Sequence, residues 1–445
     1  MSPKQKLGYL ILIYLRFWAK LQLKKVNPLV VGVTGSVGKT STRRAITTIL
    51  HSLGTVKEAK HANSESGIPL NLLNLSLRTY SPLDWLRVIF LAPFAFLFNQ
   101  ERYDYYLVEM GIDSPHPPKN MGYLLTILRP HAGVVLNADL VHTAQFDHLI
   151  KDRHLRRRQA KLIRLIAQEK GKLVTTMGPD GLAILNADQP EIIHLAQQTQ
   201  ARVLSFGYQP QADVRILKVK KTRTSFKLDL SYRAQQASLE FSQFPFEDNY
   251  AYTFAAAITL GVGLGVPFAQ AVQLLQDNYS PPPGRWRLFP GLNHTTIIDS
   301  TYNASPRSMH SALVNFRKLA RRAYKIAVIG DMRELGREAK QTHKDLANWL
   351  LDNADEAVLF GSLTQQYTLP LLRQHRFPVH HFTSMSTLID YLHSHLKPKS
   401  WLLFKGSQNT IFLERAVEAL LLHPEDQRHL CRRGPYWDRI RQQTL

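Results

Sequence analysis

The stretch Thr34-Gly35-Ser36-Val37-Gly38-Lys39-Thr40-Ser41 constrains the fold more than any other part of this chain. It follows the apolar run Leu29-Val30-Val31 and precedes a helix-like run, Thr42 to Leu50. A glycine-rich turn between a strand and a helix start cradles phosphate, because backbone N–H groups and the helix dipole point at the anion. Lys39 is placed to reach the outer phosphates, and the Thr40 hydroxyl to bind Mg²⁺. The general pattern has a glycine five residues before the Gly-Lys pair. That position is Val33 here, with glycines at 32 and 35 instead. The chain is expected to bind a nucleoside triphosphate.

At 445 residues, two or three domains are expected. A 44% apolar content fits a folded globular chain rather than a disordered one. The single cysteine, Cys431, excludes an internal disulfide framework and any multi-cysteine metal site, and suits a reducing, cytoplasmic setting. The net charge of +22 implies a polyanionic neighbour: nucleic acid, anionic lipid or a phosphorylated substrate. Basic residues concentrate at Lys151 to Arg158 and at Arg428 to Arg441. Leu7 to Leu23 reads as an interfacial helix with aromatic and basic anchors, followed by Lys24-Lys25. Val88 to Phe98 is apolar but short, and is expected to break at Pro93. Neither segment has the roughly 20 apolar residues of a membrane span. Together they suggest a peripheral position on an anionic membrane surface.

The pattern along the chain is α/β. Strands are expected at Leu29–Val33, Tyr105–Glu109, Ala132–Leu136 and Lys172–Thr175, alternating with helices, which predicts a mainly parallel sheet. Residues 202–243 read as a small antiparallel appendage, and Tyr252 to Asp277 as a helical pair. Pro281-Pro282-Pro283-Gly284 marks a boundary, because three prolines cannot continue a helix. Beyond it, strands at Thr296–Ile298, Lys325–Ile329, Ala357–Phe360 and Trp401–Phe404 alternate with four helices, the last expected from Asn409 to Leu422. This predicts a Rossmann-like α/β domain without a dinucleotide turn. The divisions expected are an N-terminal helix over 1–26, a central P-loop domain over 27–283 and a C-terminal domain over 284–445. Glu109 closes a strand beside the P-loop, where a carboxylate can ligate Mg²⁺.

The order of these motifs resembles the Mur ligase family, from about residue 28 to the end. The loop at 34–40 is similar to the family's ATP loop, displaced glycine included. Asn63-Ser64-Glu65-Ser66-Gly67 resembles the segment after its first helix. Glu109-Met110-Gly111 resembles its metal-binding glutamate motif, Asn137 with His142 its Asn and His spacing, and Ala183 to Asp188 a strand end. Pro283-Gly284-Arg285 resembles the domain junction, and Asp299-Ser300-Thr301-Tyr302-Asn303-Ala304-Ser305-Pro306 a C-terminal motif. Gly330-Asp331-Met332-Arg333-Glu334-Leu335-Gly336, with His343, resembles the D-Ala-D-Ala-adding branch.

The resemblance implies an ATP-dependent ligase that forms an acyl phosphate and then an amide bond. It implies Thr34 to Ser41, Asn249, Arg285, Asp299 and Asn303 around ATP. Thr40, Glu109, His142 and Lys170 would attend the metal, and Asn63, Ser64, Asp331, Glu334, His343 and Lys405 the substrates. Lys39, His142 and Lys170 would be catalytic. A lysine of the family is carbamylated; Lys170 suits the spacing to Gly181, and Lys161 is its rival. The partners implied are a peptidoglycan-precursor peptide and D-Ala-D-Ala or a similar amine. Few residues precede the ATP loop, so a lipid-linked acceptor is expected in place of a nucleotide-linked one. The family's adenine motif is reduced to Asn249, and its paired aspartates to Asp299-Ser300. Two other readings stay open: a degenerate ligase fold acting as a binding subunit, and a nucleic-acid-stimulated ATPase.

Overall fold

The computed structural model describes residues 3–59, 62–77, 81–140, 145–152, 154–222, 225–242, 244, 246–247, 249–407, 411–434, 437–438 and 440. The first lobe opens with α1 (Pro3–Val26), β1 (Leu29–Thr34) and α2 (Lys39–Leu50), then β2 (Val56–Glu58), α3 (Gly67–Leu72) and α4 (Pro82–Phe98). It continues through β3 (Tyr105–Glu109), α5 (Met121–Ile127), β4 (Ala132–Val135), α6 (Leu155–Thr175), β5 (Leu182–Asn186) and α7 (Pro190–Ile193). It closes with β6 (Arg202–Gly207), β7 (Val214–Lys221), β8 (Phe226–Tyr232), β9 (Gln235–Phe241), α8 (Tyr250–Gly263) and α9 (Phe268–Asn278). One nine-stranded sheet runs β2-β3-β1-β4-β5-β6-β7-β8-β9. It is parallel from β2 to β7 and antiparallel through β8 and β9. The segment expected as an appendage therefore extends the main sheet.

The second lobe comprises β10 (Arg287–Gly291), β11 (Thr295–Asp299), α10 (Pro306–Leu319), β12 (Lys325–Gly330), α11 (Ala339–Asn353), β13 (Glu356–Phe360) and α12 (Leu369–Gln374). β14 (Val379–Phe382), α13 (Met385–His395), β15 (Trp401–Lys405) and α14 (Glu414–Leu420) complete it. Its sheet runs β10-β11-β15-β12-β13-β14, parallel except for β10. The central strands are buried along their length, as parallel strands covered by helices on both faces must be.

Two expectations are corrected. Lys172–Thr175 is the last turn of α6 and not a strand. Leu162, Ile166, Leu173 and Val174 are buried at helical spacing, so the apolar run belongs to a helix face packed on β4. Pro93 does not break its segment, since α4 runs through it. Proline removes the N–H that would bond the carbonyl four residues back. That carbonyl, Ile89 O, instead accepts from the Tyr14 hydroxyl of α1 at 3.1 Å. Residues 408–410, where the last helix was expected to begin, lie outside the described residues, and α14 starts at Glu414.

The lobes meet through polar contacts. Arg158, from the first basic cluster, is buried between Asp147 of its own lobe and Glu338 of the other. Asp147 also accepts the Arg337 N–H at 2.9 Å. Arg432, from the second cluster, is buried against Glu414 at 2.7 Å. Both arginines are thus engaged within the fold and unavailable to an outside polyanion.

Candidate functional site

The loop between β1 and α2 is held before any ligand is considered. Asn137, just past β4, accepts from Val37 N–H through Oδ1 at 2.8 Å and donates to Val37 O at 3.0 Å. Its carbonyl accepts Ser36 N–H at 3.0 Å. Gly38 sits at φ 89°, a left-handed conformation that glycine adopts without a Cβ penalty. A Cβ on Gly35 would stand 2.9 Å from Leu136 Cβ, so this turn also needs glycine. The N-terminus of α2 therefore opens on the loop with its first N–H groups free for an anion.

Around the loop, Lys39 Nζ donates to Gly35 O at 2.6 Å. Burial lowers its pKa, partly opposed by the Glu109 carboxylate. Thr40 Oγ1 donates to Glu109 Oε2 at 3.2 Å, and Arg43 Nε to Glu109 Oε1 at 2.9 Å. Thr34 lies deeper, its hydroxyl donating to Met110 O at 2.8 Å. Ser41 Oγ reaches the Tyr250 hydroxyl at 3.3 Å. Lys170 is buried on α6, and its pKa is driven well down by burial, with the Lys39 charge pressing the same way. Lys161 is exposed and paired with Asp152 at 2.8 Å. His142 lies outside the described residues.

The second lobe brings cations and a helix end to the same place. A cavity of 110 Å³ is lined by Ser36 to Ser41 on one side and by Arg285, Ser300, Asn303, Ser305, Ser308 and Lys405 on the other. Arg285 lies over the Tyr302 ring at 4.4 Å and approaches Thr40 Oγ1 at 3.4 Å. Lys405 Nζ donates to Ser300 Oγ at 3.1 Å and Asn303 O at 2.9 Å. Burial pulls its pKa down to about 8. Ser305 caps α10, accepting from Ser308 N–H, while Ser308 Oγ accepts Ser305 N–H at 2.9 Å. Two helix N-termini, those of α2 and α10, thus face one cavity. That concentrates partial positive charge where a polyphosphate would sit.

Several expected site residues have structural partners. Asp299 is fully buried beneath the cavity, its Oδ1 accepting from Thr301 N–H and Oγ1. Burial raises its pKa. Asn249 Nδ2 donates to Ser311 Oγ at 3.2 Å across the lobes. Asn63 O accepts Gly111 N–H at 3.1 Å, and Ser64 Oγ accepts Gly67 N–H at 3.2 Å at the start of α3. Asp331 accepts Leu363 N–H at 3.0 Å and Thr364 N–H at 2.8 Å, so its carboxylate caps the turn after β13. His343 is fully buried, with Nε2 accepting Met332 N–H at 3.1 Å and Nδ1 2.7 Å from Ala339 O. Those bonds fix the Nδ1–H tautomer and hold the 330–336 loop in shape. Glu334, at φ 63°, is the exposed acidic member of that loop.

The sequence reading missed Ser300, Ser305, Ser308, Glu247 and Tyr250 as cavity residues. The Ser-Pro start of α10 was a legible helix cap, but nothing local showed that its end faces the other lobe. Among the described residues no group of three or more His, Cys, Asp and Glu side chains gathers as a metal site. The oxygen set at the loop is Thr40 with Glu109, which suits Mg²⁺ when phosphate oxygens complete the shell.

Residues 33–259 match the model of the Mur ligase middle domain, and residues 284–408 that of the Mur ligase glutamate ligase domain. Among similar curated proteins are three UDP-N-acetylmuramoyl-tripeptide–D-alanyl-D-alanine ligases. The enzyme of Buchnera aphidicola is 23% identical, covering 79% of this chain and 67% of that protein. That of Mycobacterium tuberculosis strain H37Rv is 28% identical, covering 71% and 54%. That of Escherichia coli K12 is 26% identical, covering 73% and 62%. The chain thus spans between about half and two thirds of the length of these relatives. The solved MurF ligase of Thermotoga maritima in complex with ADP superposes with a TM-score of 0.71 at 20% identity, over 94% of this chain and 84% of that one. A MurF of Acinetobacter baumannii gives 0.69 at 21% identity, over 91% and 79%. These two likenesses show the fold.

Proposed function

The chain belongs to the Mur ligase family, and we propose that it uses ATP to join a peptidoglycan-precursor stem peptide to D-Ala-D-Ala. The observation that carries this reading is the cavity between the lobes, where the P-loop meets Arg285, Lys405 and the capped end of α10. Such a site holds a triphosphate from both sides and neutralises charge as a phosphoryl group moves to a substrate carboxylate. An amine then attacks the acyl phosphate, the amide forms, and phosphate leaves. Lys39 and the α2 N-terminus bind the phosphates, and their charge offsets the burial that depresses the Lys39 ammonium. Arg285 and Lys405 complete the cationic wall. The two lobes exclude water from an intermediate that water would destroy.

Thr40 and Glu109 are the residues that would hold Mg²⁺, which would screen the phosphates during transfer. Lys170 is our candidate for the carbamylated lysine. Its burial favours the neutral amine, the form that adds CO₂, whereas Lys161 is exposed and ion-paired. We divide the chain at 26/27 and 283/284, and place the enzyme in the cytoplasm at the inner face of the membrane. No described helix is long and apolar enough to cross a membrane.

Phosphate release tests the proposal. With ATP, UDP-N-acetylmuramoyl-tripeptide and D-Ala-D-Ala, release should require both substrates. It should slow in CO₂-depleted buffer and recover with bicarbonate, a response lost in Lys170→Ala. Release driven by nucleic acid alone would overturn the reading, as would ATP binding with no turnover when both substrates are present.

A further inference from the structure

We propose that the outward faces of α1 and α4 form one docking surface for an anionic lipid bilayer. This deepens the peripheral position proposed above and does not depend on the ligation reaction. The two helices lie side by side and parallel. Tyr14 bonds Ile89 O, Trp18 packs on Phe96 with ring centroids 5.6 Å apart, and Lys25 Nζ donates to Phe96 O and Asn99 O at 3.1 and 2.9 Å. Both rest on the same small core, with Leu15 of α1 and Val88 and Ala92 of α4 packed with Leu70 and Leu73. Because their buried faces share that floor, their opposite faces share one outward direction.

That outward direction is apolar. On α4, Leu83, Leu86, Phe90, Phe94 and Leu97 recur at spacings of three and four and are exposed, Leu83 by 77% and Phe90 by 68%. This is a second apolar stripe on a helix whose first stripe is already buried. On α1, Leu7, Leu10 and Phe17 are exposed in one stripe. The same stripe continues into Lys20 and Lys24, both exposed. Water-facing helices carry polar residues on that side. A surface with large apolar side chains on both helices instead fits burial in the acyl–headgroup boundary. The charge fits an anionic lipid specifically. α1 has no acidic residue, and Asp84, the acidic residue of α4, is buried against Arg87. Lysines at the rim can bury their stems and keep their ammonium groups at the phosphate level. With helix lengths of about 36 and 26 Å at 1.5 Å per residue, the pair would lie flat on the membrane.

Co-sedimentation of the full chain with phosphatidylcholine vesicles containing 30% phosphatidylglycerol tests this without ATP or any acceptor, so a failure of ligation leaves the outcome unaffected. The chain should bind these vesicles at least tenfold more tightly than pure phosphatidylcholine. Phe90→Glu with Phe94→Glu should abolish binding, and Lys20→Glu with Lys24→Glu should remove the lipid preference. All four residues are at the surface, so circular dichroism of each variant should match the parent. Equal binding to both vesicle types, or none to either, would overturn the proposal. A lipid-free dimer that Phe90→Glu with Phe94→Glu converts to monomer would also overturn it, by making a second copy the occupant.

Discussion

Two loops sit at the ends of central parallel strands, and they use their polar residues in opposite ways. After β1, the loop at 35–38 brings the N-terminus of α2, with Lys39 and Thr40, to a cavity, while Asn137, just past β4, holds its shape through the Ser36 and Val37 N–H groups. After β12, the polar groups at the 330–336 loop are spent on the fold: Asp331 is committed to the turn at Leu363–Thr364, and His343 of α11 to Met332 and Ala339. The second loop carries one of the motifs that resemble the family, yet its Asp331, and His343 packed beside it from α11, face inward. A motif can be specific because its geometry is hard to build, and not because its side chains touch a ligand.

The comparison can be broken at either loop. The largest effect belongs to Lys39. Lys39→Ala should lower kcat/KM for ATP-dependent ligation by about 100- to 1,000-fold, the usual loss for a charge-stabilising donor. Its thermal midpoint should stay near the parent's. A loss under tenfold in steady-state kinetics would take the first loop out of the chemistry. Asp331→Ala should do the reverse. Leaving the buried Thr364 N–H unpaired costs about 1–3 kcal/mol, with a smaller loss at the part-buried Leu363 N–H, seen as a lower denaturation midpoint, with KM for ATP unchanged. An unchanged midpoint with a KM for D-Ala-D-Ala raised tenfold would show that Asp331 meets substrate. The smallest effect is at His343. Burial lowers its pKa, so the unfolded chain takes up a proton that the folded chain refuses. Stability from this group is present above the unfolded pKa of about 6.5 and is lost as pH falls below it. Urea unfolding at pH 7.5 and 5.5 should show the parent losing up to about 1 kcal/mol relative to His343→Gln, which cannot titrate. An identical pH response in the two would remove His343 from the buried role.

What could be read in advance was local. The phosphate loop is contiguous, so strand, turn and helix start were legible together at residues 29–50. The alternating strands and helices of the second lobe were equally plain, because each is a run with one period. Leu173-Val174 misled because two adjacent apolar residues suit a strand and a helix face alike; the spacing back to Leu162 and Ile166 carried the answer. β10 and β14 escaped notice because Pro290 interrupts one and His380-His381 the other. An edge strand tolerates both, since one side of it needs no ladder partner. The cavity's far wall was not legible at all. Ser300, Ser305 and Lys405 reach the P-loop only through the packing of one lobe on the other, and no sequence spacing encodes that distance.

Pro93 and Tyr14 have a practical corollary. The proline leaves one peptide oxygen of α4 without its own helix's donor, and the tyrosine of α1 satisfies it. The two helices therefore complete each other, and neither is a detachable tag. Trimming the first 26 residues would strand that oxygen and also uncover the floor beneath Leu15 and Ala19. A shortened chain that lost membrane affinity, solubility or turnover would report a wound rather than a missing anchor. Point changes on the outer stripe, with every helix left in place, are the cleaner instrument.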